Sequence, residues 1–394
     1  MNFFNTTDLR PGQVFSGPVY SEGNNLLVPA NALLRQKDID FLVTWGIDMV
    51  KIDGDLVQND DEANLDDEEL TELEEVTELS PKKEVIRFSI SDVRQNTGPY
   101  RAYKNLIEKL NNLFGSLKSG IDVEMRMVDN ICAQLLQDLR DYPDAFVGFI
   151  LGGEITSNEL AKSSVNTAIL SALTAQELKL PNHKIHKIVS GALLHDVGML
   201  RLSKGITEKK GGLSEAELEQ IKSHPLHTSK IVTKELFGPH EVNLIALQHH
   251  ERWDGQGYPD KLVGQTIDIG ARIVSVADAF EAMVSKKSYR NSMVGYQAIK
   301  NLLSDNARRF DPAVIIAFTK IMGIYPIGSI VRLNNGAIAR VINIHTDAPV
   351  RPMIQVLMDE NGKVADSKNI INIDLLEDKT LFIKEAIDPA TFSG

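Results

Sequence analysis

The stretch that decides the interpretation of this chain is HHERWDGQGYP, residues 249–259. It opens with two adjacent histidines and carries two acidic residues, two glycines and a Tyr-Pro step. Imidazole nitrogens and carboxylate oxygens are the ligands that proteins offer to divalent transition metals. The stretch therefore predicts a divalent-metal site.

Three further clusters carry the same residue types: LLHDVG at 193–198, SHP at 223–225 and VADAF at 276–280. Adjacent His195 and Asp196 would diverge by about 100° on one helix. They are therefore expected to serve two ions, with Asp196 bridging, rather than to chelate one. Two metals about 3.5–4 Å apart clamp the attacking and leaving oxygens of phosphoryl transfer. The pattern thus predicts a two-metal site for that chemistry.

These residues resemble the HD-GYP family of metal-dependent phosphodiesterases. His195-Asp196 is similar to the family's HD pair, and residues 249–259 match its HHExxDGxGYP signature at every defined position. The resemblance covers residues 154–323. It implies an all-α bundle and hydrolysis of the 3′–5′ phosphodiester of cyclic di-GMP to pGpG, GMP or both.

The resemblance also implies a set of metal ligands. Two divalent ions, usually iron or manganese in this family, would be held by His195, Asp196, His224, His249, His250 and Asp278. Asp196 would bridge the two ions. Glu159 falls where members with three metals have a glutamate ligand. The family's next histidine is Ser163 here, so a third metal has little support.

The same resemblance assigns the substrate contacts. Lys287 and Arg290 fall where the family contacts the substrate phosphates, and Tyr258 falls in the loop beside the guanine-binding cleft. Met199 replaces a lysine that normally contacts phosphate. Glu281 is our candidate for the general acid, and the alternative is that it supports a ligand histidine by hydrogen bonding.

Two other functions stay open. Ser163 and Met199 favour a weak or inactive receptor that binds a cyclic dinucleotide and signals by conformational change. The intact signature disfavours a second alternative, a general nucleotide phosphohydrolase. Cyclic GMP-AMP is an alternative substrate for the phosphodiesterase.

Charge and composition narrow the class of partner. The net charge of −12 includes eleven acidic residues between positions 60 and 78, where no Lys or Arg occurs, so the rest is close to neutral. No polymeric nucleic-acid partner is therefore expected. One cysteine, no run of roughly 20 apolar residues and no secretory signal favour a cytoplasmic protein without membrane contact.

The predicted fold is mainly α, an HD-type helical bundle flanked by two small units. Residues 1–56 form an α+β cap, 57–84 an acidic linker, 85–153 a helical connector, 154–323 the phosphodiesterase domain and 324–394 a β unit. Within the cap we predict strands at 13–20, 26–28 and 48–52 and a helix at 37–45. The connector is interpreted as two helices leading into the core, with a homodimer seam as the alternative. The signalling partner is unknown.

Overall fold

The computed structural model describes residues 2–17, 19–21, 26–28, 33–34, 36, 39, 42, 49–52, 54–59, 97–152, 159–207, 209, 211–285, 295–305, 308–365 and 371–387. The chain divides into two compact units. One is Phe88–Ser329, and the other combines Met1–Arg87 with Ile330–Gly394. Within the described ranges, no helix is both long enough and apolar enough to cross a bilayer.

The unit Phe88–Ser329 is helical, which confirms the predicted class. Its helices are α1 (Thr97–Lys118), α2 (Met125–Asp141), α3 (Pro143–Gly152), α4 (Glu159–Glu177), α5 (Asn182–Leu194), α6 (Lys204–Thr207), α7 (Glu215–Lys222), α8 (His224–Lys230), α9 (His240–Gln248), α10 (Ile269–Val284), α11 (Gly295–Ser304) and α12 (Pro312–Met322). Short 3₁₀ segments lie at Val197–Arg201 and Gly264–Thr266, and a π-helical turn lies at Ile231–Glu235.

Helix α4 is the centre of this unit. It packs against α1, α5, α10 and α12, and nearly every residue from Ala161 to Ala175 is buried. A helix surrounded on all sides needs no polar face, and its buried polar residues are Lys162, Asn166 and small Ser and Thr side chains. Its neighbours α5 and α10 are therefore held in fixed positions.

A pair of glycines lets three helices approach closely. Ile245 of α9 is buried between Gly191 of α5 and Gly270 of α10. A Cβ atom on Gly191 would lie 2.5 Å from Ile245 Cγ2, and one on Gly270 would lie 2.7 Å from Ile245 Cδ1. Because neither glycine can carry a side chain there, α5, α9 and α10 stay close enough for residues near their ends to meet.

The predicted connector contains the two expected helices and a third. The apolar stripe from Leu106 to Leu117 is buried on α1, and α2 begins after a turn at Gly120, whose φ is +70°. Gly115 lies inside α1. The apolar run from Ala145 to Leu151 forms most of α3.

The amino-terminal part contains short antiparallel strands. They are β1 (Asn2–Asn5), β2 (Gln13–Phe15), β3 (Val19–Ser21), β4 (Leu26–Val28), β5 (Met49–Ile52) and β6 (Leu56–Asn59). One sheet has the order β1-β5-β3-β4, and β2 pairs with β6. The sequence patterns did not predict β1 or β6, and the predicted strand 13–20 is divided into β2 and β3. Strand β6 ends three residues past the predicted boundary at 56. The helix predicted at 37–45 lies mostly outside the described residues.

The carboxyl-terminal part is an antiparallel sheet, as predicted for a β unit. Its strands are β7 (Ile330–Leu333), β8 (Ile338–Asn343), β9 (Met353–Met358), β10 (Asn372–Asp374) and β11 (Ile383–Ile387), in the order β10-β9-β8-β7-β11. Gly336 and Gly362 adopt positive φ values of 92° and 80° in turns between strands.

Candidate metal centre

The His195-Asp196 pair lies at the end of a helix, not within one. Helix α5 ends at Leu194, and His195 is its C-cap residue. Asp196 has left the helical conformation, with φ −102° and ψ 5°, before the 3₁₀ segment Val197–Arg201 begins. The expectation that the pair shares one helix is therefore wrong. The turn in the chain carries the Asp196 carboxylate around beside the His195 imidazole.

Three histidines of the centre are held in the same way at helix ends. In each, Nδ1 donates to the backbone carbonyl three residues earlier, at 2.7 Å for His195–Ala192, 2.7 Å for His224–Ile221 and 2.8 Å for His249–Ala246. These carbonyls belong to the last turns of α5, α7 and α9, where backbone acceptors need partners. Because Nδ1 is bound to a carbonyl, Nε2 is the nitrogen available to a metal in all three.

The Nε2 atoms converge on Asp196. Nε2 of His224 lies 3.0 Å from Asp196 Oδ1 and 3.3 Å from Nε2 of His249. Among the described residues, one group offers ligand atoms that all lie within 4.8 Å of one another, and it consists of Asp196, His224, His249 and His250. The structure thus brings together four of the six residues that the sequence predicts as core ligands.

The other two predicted ligands are His195, which lies beside the opposite oxygen of the same carboxylate, and Asp278, which lies beside His195. Nε2 of His195 is 3.6 Å from Asp196 Oδ2 and 3.6 Å from Oδ1 of Asp278 on α10. Asp196 therefore directs Oδ1 towards His224 and Oδ2 towards His195. This is the arrangement that a bridging carboxylate requires.

The donor spacing fits a divalent ion. Two ligands that are each 2.0–2.2 Å from a metal lie about 3–3.5 Å apart, close to the separations of 3.0 and 3.6 Å at Asp196. Nε2 of His195 is fully buried and has no hydrogen-bond partner among the described residues. A buried imidazole nitrogen without a partner, next to two carboxylates, is a suitable metal ligand.

The surrounding charges favour a cation. The carboxyl-terminal ends of α5, α7 and α9 meet here, and each helix dipole places partial negative charge at that end. Burial disfavours the His195 imidazolium, but Asp196 and Asp278 outweigh it and raise the pKa of His195 to about 9. A positive charge is therefore favoured at this point of the fold.

The protonation states of the other groups also suit ligation. Burial, followed by the neighbouring His250, holds the pKa of His249 well below its usual range. Burial lowers the pKa of His250 to about 4. Burial of Asp196 is outweighed by His195 and His224, which hold the pKa of its carboxyl well below the usual range. At neutral pH His249 and His250 thus offer neutral imidazoles and Asp196 an ionised carboxylate, the forms that bind metals.

Thr228 on α8 fixes the turn that carries these ligands. Its hydroxyl donates to the His195 carbonyl at 3.0 Å and accepts from the Gly198 N–H at 2.9 Å. A Cβ atom on Gly198 would collide with the carbonyl of His224, so only glycine allows α8 to approach the turn. Sequence analysis did not identify Thr228, because its partners lie 30 or more residues away.

The signature loop is braced from inside. The buried Glu251 carboxylate accepts from the N–H groups of Asp260 at 2.6 Å and Leu262 at 3.0 Å. The Tyr258 ring stacks on His250, with ring centroids 4.8 Å apart and planes 27° apart. Burial raises the pKa of Tyr258. The predicted substrate residue Tyr258 is therefore placed directly against a candidate ligand, with its hydroxyl protonated.

Glu281 of α10 belongs to a buried hydrogen-bond network. Its carboxylate accepts from Ser163 at 2.6 Å, from Asn166 at 3.2 Å and from Ser285 at 2.6 Å. Tyr103 of α1 donates to Asn166 at 2.6 Å. The residue that replaces the family's histidine, Ser163, thus binds Glu281. None of these hydrogen bonds joins Glu281 to the predicted metal ligands.

The remaining predicted site residues are Glu159, Lys287 and Arg290. Glu159 is the first residue of α4, is exposed and does not belong to the four-residue ligand group. Lys287 and Arg290 lie outside the described residues. Met199 is half-buried in the 3₁₀ segment that follows Asp196.

A mainly helical unit that gathers imidazoles and carboxylates at its helix ends offers the donor set of a divalent-metal site. Comparison with known proteins specifies the family. Residues 154–314 match the HD domain, and residues 330–394 match the KOW domain associated with HD domain. Residues 154–314 thus carry an HD domain, and the resemblance of this chain to the HD-GYP proteins is confirmed.

The curated relatives carry related names. Cyclic di-GMP phosphodiesterase PdeB of Borreliella burgdorferi is 26% identical over 92% of this chain and 90% of that protein. Cyclic di-GMP phosphodiesterase PA4108 of Pseudomonas aeruginosa is 30% identical over 63% of this chain and 58% of that protein. The 3′3′-cGAMP-specific phosphodiesterase 2 of Vibrio cholerae is 30% identical over 46% of this chain and 35% of that protein. This chain therefore spans most of the first relative, but less than two thirds of the other two.

Proposed function

We propose that this protein is a divalent-metal phosphodiesterase that hydrolyses the 3′–5′ phosphodiester of cyclic di-GMP to pGpG, GMP or both. The observation that carries the proposal is the orientation of Asp196, whose two oxygens face two separate groups of nitrogen and oxygen donors. The names of the relatives support the choice of substrate. Such hydrolysis would lower the concentration of the second messenger.

The donor set defines which residues would hold the metals. The first group comprises His224, His249 and His250, the second comprises His195 and Asp278, and Asp196 bridges them. Iron or manganese suits imidazole mixed with carboxylate. When bound, two such ions would supply Lewis-acid chemistry, because they lower the pKa of water and neutralise charge on the phosphoryl oxygens. The present site offers no support for a third ion, since Glu159 lies outside the ligand group.

The reaction adds water to one phosphorus of the ring. The new P–O bond forms from the water oxygen, the P–O3′ bond breaks, and the proton of water is delivered to the 3′ oxygen. Nδ1–carbonyl bonds aim three imidazoles, so the ligands need little reorganisation. The protonated hydroxyl of Tyr258 can donate a hydrogen bond to bound nucleotide.

Three further predicted roles are part of the proposal. Lys287 and Arg290 would contribute positive charge to the substrate phosphates. Glu281 stays the predicted general acid, although it accepts three hydrogen bonds from Ser163, Asn166 and Ser285. The alternative is that Glu281 positions α4 against α10.

A receptor without useful turnover is the second candidate function. The observation that favours it concerns Ser163, which occupies the position of the family's histidine. Its hydroxyl donates a hydrogen bond of 2.6 Å to Glu281. In that case the site would bind the cyclic dinucleotide and the protein would signal by conformational change. The six remaining donors are all present, which favours the enzyme.

Product chromatography tests the proposal. Cyclic di-GMP and cyclic GMP-AMP are incubated separately with protein treated with a chelator and with protein reconstituted with Mn²⁺ or Fe²⁺. We expect pGpG or GMP from cyclic di-GMP only after metal is restored. Binding without product at full metal content would support the receptor. Hydrolysis of cyclic GMP-AMP but not of cyclic di-GMP would identify cyclic GMP-AMP as the substrate.

A further inference from the structure

Arg309 is a cation next to the signature loop that the predicted site does not include. The backbone carbonyl of Arg309 accepts from the Trp253 N–H at 3.0 Å, and that of Arg308 accepts from the Asp254 N–H at 2.9 Å. Both acceptors precede the buried Phe310 and the α12 N-cap Asp311. Residues 308–309 are thus tied to the loop that carries His250 and Tyr258.

The guanidinium of Arg309 is supported from one face. Its Cζ atom lies 4.9 Å from the centroid of the buried Phe310 ring. Stacking on a ring occupies the face of the planar guanidinium and leaves the N–H donors along its edge available. Arg309 is therefore held next to the loop that carries His250 and Tyr258.

Two arginines near the signature loop, Arg252 and Arg272, are neutralised by carboxylates, and Arg309 is not. Arg252 pairs with Asp254 at 2.8 Å, and Arg272 pairs with Asp311 at 2.6 Å. In the described part of the chain, no carboxylate lies within ion-pair distance of Arg309. A preorganised guanidinium beside the candidate site, with its charge uncompensated, suits an anionic group of a ligand.

We infer that Arg309 binds the second phosphodiester of a cyclic dinucleotide, the one that is not cleaved. The inference rests on the proposed function, in which one phosphodiester occupies the metal centre. The other carries its own negative charge, and a fixed arginine fork matches two phosphate oxygens. Because this contact is the same before and during the reaction, Arg309 is a positioning residue that contributes to substrate binding and not to the chemical step.

The test compares Arg309→Ala, Arg309→Lys and the matched control Arg308→Ala, whose side chain is exposed one position away. Metal content is equalised in all proteins. For cyclic di-GMP we expect Arg309→Ala to raise KM about 10- to 150-fold, the usual range for a lost charge-assisted hydrogen bond, with kcat little changed. Arg309→Lys should recover part of the loss, and Arg308→Ala should behave as the wild type.

A second substrate distinguishes binding of the phosphodiester that is not cleaved from binding of the one that is cleaved. Bis(p-nitrophenyl) phosphate has one phosphodiester, so Arg309→Ala should hydrolyse it as the wild type does. An equal loss with both substrates, or an unchanged KM for cyclic di-GMP, would overturn the inference while the proposed function stood.

If the wild type hydrolyses neither substrate, the proposed function fails, and the dissociation constant for cyclic di-GMP decides the inference. A rise of tenfold or more in Arg309→Ala, with none in Arg308→Ala, would support it. Equal dissociation constants, or no binding by the wild type, would refute it.

Discussion

Replacing Thr228 by valine should loosen the turn that presents His195 and Asp196. The hydroxyl satisfies two buried backbone groups, the His195 carbonyl at 3.0 Å and the Gly198 N–H at 2.9 Å, and Thr228 itself is fully buried. Valine keeps the shape but leaves both groups without partners. A buried group that loses its partner costs about 1–3 kcal/mol, so the free energy of unfolding should fall by about 2–6 kcal/mol.

Metal affinity should fall along with stability, because the same turn aims two of the ligands. Loss of a residue that orients ligands typically costs about 10- to 100-fold in metal affinity or activity. Urea unfolding of the chelator-treated protein and metal titration of the refolded protein measure the two effects separately. Thr228→Ser keeps the hydroxyl and should retain most of the affinity.

Thr233→Val is the matched control. Its hydroxyl donates to the Ser229 carbonyl at 2.7 Å, but the residue is exposed, so water can replace the bond. Its effect on stability should stay within about 0.5 kcal/mol. If Thr228→Val unfolded at the same urea concentration as Thr233→Val and bound metal as tightly as the wild type, the two hydrogen bonds of the Thr228 hydroxyl would have no role.

In the chelator-treated protein, the free energy of unfolding should fall as the pH drops from about 6.5 to 4. Over this range the unfolded chain binds a proton at His250, whereas the folded chain does not, because folding lowers the pKa of His250 to about 4. Urea unfolding across that range should show a flatter slope in His250→Gln, and an unchanged slope would contradict the assignment. Glu281→Gln places an amide donor among hydrogen-bond donors and should lower the free energy of unfolding by about 1–3 kcal/mol. A lost basic limb in its pH–rate profile would instead identify the general acid. Deleting residues 60–78 removes eleven uncompensated acids and should leave hydrolysis intact, whereas a loss of folding by circular dichroism would contradict the linker assignment.

The sequence was sufficient to predict the ligand types and the helical class. The run before His195 marks a buried helix, and the signature at 249–259 places two more imidazoles, so the candidate ligands could be named before any contact was known. Their buried position at helix ends follows from neighbouring carbonyls that accept from Nδ1. Periodicity extends a helix through such residues, and this is why His195 and Asp196 were placed on one helix.

Contacts distant in sequence account for what could not be predicted. Thr228 reaches the His195 turn, and Arg309 reaches the signature loop, across 30 or more residues. Local patterns contain no information about such pairs. Strands β1 and β6 are only four residues long, too short for alternation to be distinguished from chance.

The central claim is that Asp196 joins two metal positions in a phosphodiesterase. The direct measurement is the metal content per chain of wild type and Asp196→Asn, together with cyclic di-GMP hydrolysis by the same samples. We expect activity of the wild type to rise with loading up to two ions per chain, and Asp196→Asn to lose both the second ion and nearly all turnover. Normal turnover by Asp196→Asn, or full wild-type activity with one ion per chain, would contradict the claim.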